Sequence, residues 1–406
     1  MIIIRNMKKL IVLFIPALLL VYTPKIEAQS NAVKIQLSSE ESNIAVKNND
    51  FANRMFGSLC SQQANVNVTF SPLSMEYLLA MTANGASVSS LKEMLTAMNL
   101  GNYSLPVING YYQRLTSSLT SADQSVKLSL ANSVWIQKNF GVKNTFMSSM
   151  KSVFKADVFK TDFNKPASAT NSINRWCSDK TAGLIKKISL DITPELKLVL
   201  SNASYFKGEW TTPFDKNRTH KGYFTTEAGA KNKIDMMFAQ KRFNYNKQSN
   251  YEVVELPYGN KSFSMVLVLP SEGTDVNTLV NTISWNNIET KPAYVSLTLP
   301  KFKVENHWKR FNSTLRSVGI KKIMKEGNQL DNIANDLYVS DVTQDVLLEV
   351  NEEGTKAAAV SSAGIRMTAI RIDPNPVTVT FNRPFLFALR ENSTGAILFM
   401  GKIANL

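Results

Sequence analysis

Between Glu349 and Val360 the chain reads Glu-Val-Asn-Glu-Glu-Gly-Thr-Lys-Ala-Ala-Ala-Val, so small residues fill a stretch that would otherwise make an ordinary strand. A strand turns successive side chains to opposite faces of its sheet. If Glu352 to Thr368 joined a sheet, Thr355, Ala357, Ala359, Ser361, Ala363 and Ile365 would face the core. Lys356, Ala358, Val360, Ser362, Gly364 and Arg366 would face outward, which keeps both long cations outside. Small inward residues let a strand pass late beneath an overlying helix without clash or void, whereas bulky or charged ones would stop it. The stretch fits a chain that must slip between other strands.

The rest of the sequence supplies a body large enough to hold such a sheet. A chain of 406 residues with 44% apolar content can bury a large core. Arg5, Lys8 and Lys9 precede an apolar run from Leu10 to Val21, and Ile26-Glu27-Ala28 offers a cleavage end, so residues 1–28 read as a secretory signal. An uncleaved anchor is the competing reading, but the run is short and contains Pro16. Residues 29–45, rich in Ser, Asn and Gln, read as a flexible lead-in to one domain over 46–406. Helical periodicity is expected over 48–63, 71–86, 89–98 and 168–188, with a short helix over 308–317. Strand patterns fall at 127–136, 196–206, 251–256, 262–269, 294–299 and 377–381. Helices gather in the first half and strands in the second, which points to an α+β domain.

Charge and chemistry exclude several functions. The formal charge is +14, and loss of residues 1–28 leaves +11. The cations are scattered as pairs such as Lys186-Lys187 and Lys321-Lys322, without the aromatic interleaving of a nucleic-acid surface. Cys60 and Cys177 are read as two buried thiols. Only His220 and His307 could serve as an imidazole base, and neither adjoins a nucleophile signature. No metal-ligand or phosphate-cradling spacing is present, so the sequence calls for no cofactor and no catalytic residue.

Several separated motifs occur in an order that resembles the serpin family. They are Asn67-Val-Thr-Phe-Ser-Pro-Leu-Ser74 with Gly85-Ala86, Leu130-Ala-Asn-Ser-Val-Trp-Ile136, Thr181-Ala-Gly183, Asn202-Ala-Ser-Tyr-Phe-Lys-Gly-Glu-Trp210 and Glu255-Leu-Pro-Tyr258. The small-residue stretch, Phe381-Asn-Arg-Pro-Phe-Leu-Phe387 and Ile397-Leu-Phe-Met-Gly-Lys402 complete the series. The resemblance implies three mixed or antiparallel β-sheets, about eight or nine helices and an exposed reactive-centre loop over about 352–376. It also implies a secreted, monomeric suicide inhibitor of trypsin-, elastase- or subtilisin-like serine proteases, with cysteine proteases as further targets. The alternative within the family is a non-inhibitory carrier or chaperone. Such relatives place bulky, charged or Pro residues in the hinge, and none faces inward here.

The resemblance assigns roles residue by residue. The hinge would be Glu352, Glu353, Gly354, Thr355, Lys356, Ala357, Ala358 and Ala359. Seventeen residues counted from Glu352 put the reactive bond at Thr368-Ala369, with Arg366, Met367, Ile370 and Arg371 as neighbouring candidates. Ser71, Ser74, Asn202 and Gln344 resemble the shutter beneath the opening sheet, Gln344 standing where the family usually has His. Capping and strand packing are the ordinary roles of such residues. Trp210, Lys301 and Glu352 resemble the breach, where insertion begins.

Overall fold

Ser38 opens the first helix. Its hydroxyl accepts the Glu41 N–H at 3.2 Å while the Glu41 carboxylate accepts the Ser38 N–H at 2.8 Å, a reciprocal cap that satisfies two otherwise orphaned donors. Helix α1 therefore spans Ser39–Ser61 and buries Ile44, Ala45, Phe51, Met55 and Leu59. Two expectations are corrected by this: the helix begins well before Asn48, and the stretch read as a flexible lead-in is largely ordered where it is described. Its polar composition conceals a cap and the first turns of an apolar stripe. Upstream, the Val33 N–H donates to Ser262 at 3.0 Å and the Ile35 N–H to Ser393 at 2.9 Å.

The computed structural model describes residues 32–188, 190–309, 311–355 and 375–406. The expected signal segment lies outside them. After α1 come β1 (Val68–Phe70), α2 (Pro72–Ala83), α3 (Val88–Ala97), α4 (Leu105–Ser121), β2 (Lys127–Gln137), α5 (Asn144–Ser152), β3 (Asp157–Thr161) and α6 (Pro166–Lys180). Helix α2 is buried on almost every side, as a helix without a polar face should be. Helix α6 stops at Lys180 rather than near Ile188, because Ala182 and Gly183 turn to φ of 50° and 78° and the Thr181 hydroxyl donates to the Cys177 carbonyl while accepting the Ile185 N–H. Next follow β4 (Leu198–Glu209), β5 (His220–Thr225), β6 (Lys231–Lys247), β7 (Tyr251–Tyr258), β8 (Phe263–Pro270), α7 (Val276–Thr282), β9 (Lys291–Pro300), β10 (Phe302–Trp308) and α8 (Asn312–Ser317). Trp308 was expected in a helix and instead closes β10, opposite Gln344, with its indole donating to the Thr69 carbonyl at 2.8 Å. The chain ends with β11 (Gln344–Val350), β12 (Gly354–Thr355), β13 (Val377–Thr380), β14 (Phe385–Glu391) and β15 (Ile397–Ile403).

These strands form two hydrogen-bonded networks among the described residues. One has six strands in the order β10-β11-β12-β4-β2-β3; the other has nine, β1-β15-β14-β8-β7-β6-β9-β13 with β5 on β6. Three separate sheets were expected. Two are joined here because β6, 17 residues long, pairs with β5 and β9 over most of its length and with β7 at its end.

The main apolar core lies between the sheets and beneath α1, α2 and α4. A second, smaller cluster holds α6 against the six-stranded sheet through Trp135, Ile173, Trp176, Cys177, Val199 and Ala203. Cys60 belongs to the first cluster and Cys177 to the second, and both are free buried thiols pushed up to about 12 by burial.

Candidate functional site

Strands β4 and β11 sit on either side of β12 and form no ladder with each other among the described residues. Gly354 faces Glu209, and Thr355 faces Gly208 on one side and Val350 on the other. A side chain at residue 354 has no room: an added Cβ would lie 2.0 Å from the Gly208 carbonyl oxygen, and φ there is 155°. Only glycine permits that approach. Thr355 is buried, and its hydroxyl bonds the buried Tyr258 hydroxyl. Thr355 therefore faces inward. Lys356, Ala357, Ala358 and Ala359 lie outside the described residues, as do Arg366, Met367, Thr368, Ala369, Ile370 and Arg371.

A tight turn leads into β12. Asn351 Oδ1 accepts the N–H groups of Glu353 and Gly354 at 2.9 and 3.2 Å, the side-chain turn that Asn favours. Trp210 anchors this turn: its indole donates to the Asn351 carbonyl at 2.9 Å, its N–H to the Glu353 carbonyl at 2.8 Å, and its ring stacks on Tyr258 at 4.4 Å. The Phe214 N–H donates to the Glu352 carbonyl at 2.9 Å. Lys301 Nζ lies 3.2 Å from the Glu352 carboxylate, whose other oxygen accepts the Thr219 hydroxyl at 2.8 Å. Burial alone would raise the Glu352 carboxyl, but its own backbone N–H, Thr219 and Lys301 together hold it below the ordinary value. Lys216 pairs with Glu353 at 2.5 Å. Trp210, Lys301 and Glu352 thus meet around one turn.

Ser71, Ser74, Asn202 and Gln344 also meet, around the first turn of α2. Gln344 Oε1 accepts the Ser71 N–H at 3.0 Å and its Nε2 donates to the Ser71 carbonyl at 2.9 Å, a two-bond clamp of β11 on the helix start. The Ser71 hydroxyl caps α2 through the Ser74 N–H and donates to the Leu398 carbonyl at 2.7 Å. From Ser74 a chain runs through Ser204 (2.6 Å), Asn202 (2.8 Å) and Asn132 (2.8 Å) to the Phe154 carbonyl (2.9 Å). Sequence reading missed Ser204 and Asn132. Asn in mid-strand is disfavoured, and the two asparagines stand opposite each other on β2 and β4, so that anomaly was the available signal.

Beyond this network a cleft of about 480 Å³ opens between β4 and the segment that leads into β11. One wall runs from Leu196 to Ala203, the other from Leu337 to Asp345, with Cys177, Ile185 and Ile188 of the α6 region at its rim. Leu198, Leu200, Asn202 and Ser204 are only half-buried, whereas Val199 and Ala203, which face α6, are buried. His307 Nδ1–H donates to the Asp345 carboxylate at 2.8 Å across β10 and β11. No serine or cysteine nucleophile bonds it among the described residues.

A two-sheet α+β body with helices packed on both sheets, and with its six-stranded sheet bridged at one end and parted at the other, defines a recognisable class. The family described as Serpin (serine protease inhibitor) matches residues 46–406, and the chain belongs to it. A protein called "Serine protease inhibitor" from Cyanea capillata is 33% identical over 376 residues, 89% of this chain and 98% of that one. Among solved structures, the native thermophilic serpin tengpin superposes with a TM-score of 0.82 at 31% identity, covering 93% of this chain and 97% of its own. Human thyroxine-binding globulin with its hormone gives 0.81 at 26% identity, covering 90% and 99%.

Proposed function

We propose that this serpin is a secreted suicide inhibitor of serine endopeptidases, and of cysteine endopeptidases as a second class, rather than an enzyme. A protease attacks the segment beyond the hinge, forms an acyl-enzyme with it, and is carried away as the freed strand enters the six-stranded sheet. The observation that supports this most is the two-residue β12, paired to both neighbours above a cleft whose two walls form no ladder with each other among the described residues. Carried forward, the same register would set Ala357 opposite Phe206, Ser361 between Asn202 and Gln344, and Ile365 opposite Leu198, the first residue of β4. Those partners suit small inward residues. About a dozen new ladder bonds at roughly 0.5–1.5 kcal/mol net each would supply on the order of 10 kcal/mol, enough to trap and distort a protease. Thr368-Ala369 would be the reactive bond, and Arg366, Met367, Ile370 and Arg371 would widen the range of attackers toward trypsin-, elastase- and subtilisin-like enzymes.

The alternative, a carrier or chaperone, draws on the likeness to thyroxine-binding globulin; the small, inward-facing hinge argues against it. Incubation with trypsin, elastase and subtilisin separates the two: an inhibitor yields a complex that survives boiling in detergent. Nicked protein should also melt about 10 °C or more above intact protein, since each kcal/mol is worth about 1–2 °C in a domain of this size. Equal melting temperatures would sink the reading. Secretion is checked by sequencing the N-terminus of exported protein, which should begin near Gln29.

A further inference from the structure

We propose that the outward face of β6, β9 and β13 is a docking platform for proteases with an acidic rim around the active site, a specificity determinant that rests on the inhibitory reading. The ladder registers place its residues in rows. Phe238, Thr298 and Thr380 form one row, and Gln240, Ser296 and Thr378 the next. Arg242 and Tyr294 form the third. All eight are half-buried or exposed, while the alternating Met237, Ala239, Val295, Leu297 and Val379 are buried. The three rows are therefore hydroxyl-rich and carry no carboxylate.

Its two ends are cationic. Arg242 is exposed at one end, and at the other the Arg218 guanidinium lies 4.3 Å from the centroid of the Phe238 ring, a cation–π arrangement that holds the charge in place without neutralising it. Neither arginine forms an ion pair among the described residues. Of the bordering acids, Glu353 pairs with Lys216 at 2.5 Å and Asp235 with Lys221 at 2.8 Å, while Asp215, whose Oδ1 accepts the Asn217 N–H at 2.9 Å, keeps its charge near Lys241. Strand β13 begins three residues after the 356–374 segment that carries the candidate reactive bond. A protease engaged on that segment would stand close to this face. Oriented arginines and hydroxyls beside the point of attack would steer an anionic partner and speed encounter more than they would tighten the final complex.

The test uses anionic and cationic trypsin isoforms, each with its catalytic serine replaced by alanine, so that encounter is read without trapping. Wild-type protein should associate with the anionic isoform about tenfold faster than with the cationic one at low salt, and the gap should close as salt rises. Arg218→Glu with Arg242→Glu should abolish the gap, while Arg218→Lys with Arg242→Lys should keep most of it. Lys186→Glu with Lys187→Glu, the same charge change on a distant loop, should preserve it. A gap that survives the arginine reversal, or that the lysine control closes equally, overturns the proposal. Covalent complexes with the active isoforms report separately on the inhibitory reading, so either idea can fail alone.

Discussion

The two ends of the gap between β4 and β11 are built differently. At the hinge end Trp210, Tyr258 and Thr355 are all buried, and the Gly208 and Gly354 backbones touch; at the cleft end the facing residues of β4 are half-buried and the strands are held through Ser71, Ser74, Asn202, Ser204 and Gln344. Stacked rings and hydrogen bonds together fix the first, a hydrogen-bond network the second. The difference teaches where a strand can start and where it can still go: the chain is paired as far as Thr355, and the network beyond it must be rearranged rather than unpacked.

Substitutions can break this contrast. The largest effect is expected from Thr355→Arg, which puts a charge where the site is closed and small. On the inhibitory reading, the variant should become a substrate, cut at the usual rate but leaving no detergent-stable complex on a gel. Trp210→Ala should cost about 3–5 kcal/mol of native stability, the range for removing a large buried aromatic, read as a fall in denaturant midpoint. Asn202→Ala, at the cleft end, should cost about 1–3 kcal/mol by leaving Asn132 and Ser204 short of partners. If it costs as much as Trp210→Ala, the two ends do not differ as argued.

The smallest effect belongs to Lys301→Ala, about 0–1 kcal/mol because the lysine is partly exposed. It carries a pH signature. The Glu352 carboxyl is held below its ordinary value in the folded protein, so its contribution is present above the unfolded value of about 4.3 and is lost as pH falls through the folded one. Lys301→Ala should therefore lower the melting temperature at pH 7 and converge with wild type in acid. Glu352→Gln should flatten the same acid limb. A constant offset at every pH would assign Lys301 to packing instead.

Much of this arrangement was legible in the chain. The alternation of small residues pointed Thr355 inward, and the four residues named around the shutter fall within one network. Lys301 and Glu352 were matched across more than fifty positions. What escaped notice did so for physical reasons. The α1 start is set by a cap between Ser38 and Glu41 in a stretch whose composition reads as loop. The merging of two sheets depends on which strands β6 pairs with, and periodicity within a strand says nothing of its neighbours. Ser204 was missed because a hydroxyl on a strand has no pattern of its own; its role comes from Ser74 and Asn202 reaching it from two other places.

Helix α6 rests on an apolar cluster of its own, distinct from the main core. Its attachment can therefore loosen without melting the rest of the molecule, as a cooperative unit with a lower opening free energy. In deuterated buffer, the amides of α6 should exchange well before those of α1 and α2. On the inhibitory reading, whatever ligand or crowding slows that exchange would also lengthen the time for which an attacked protease remains free to escape.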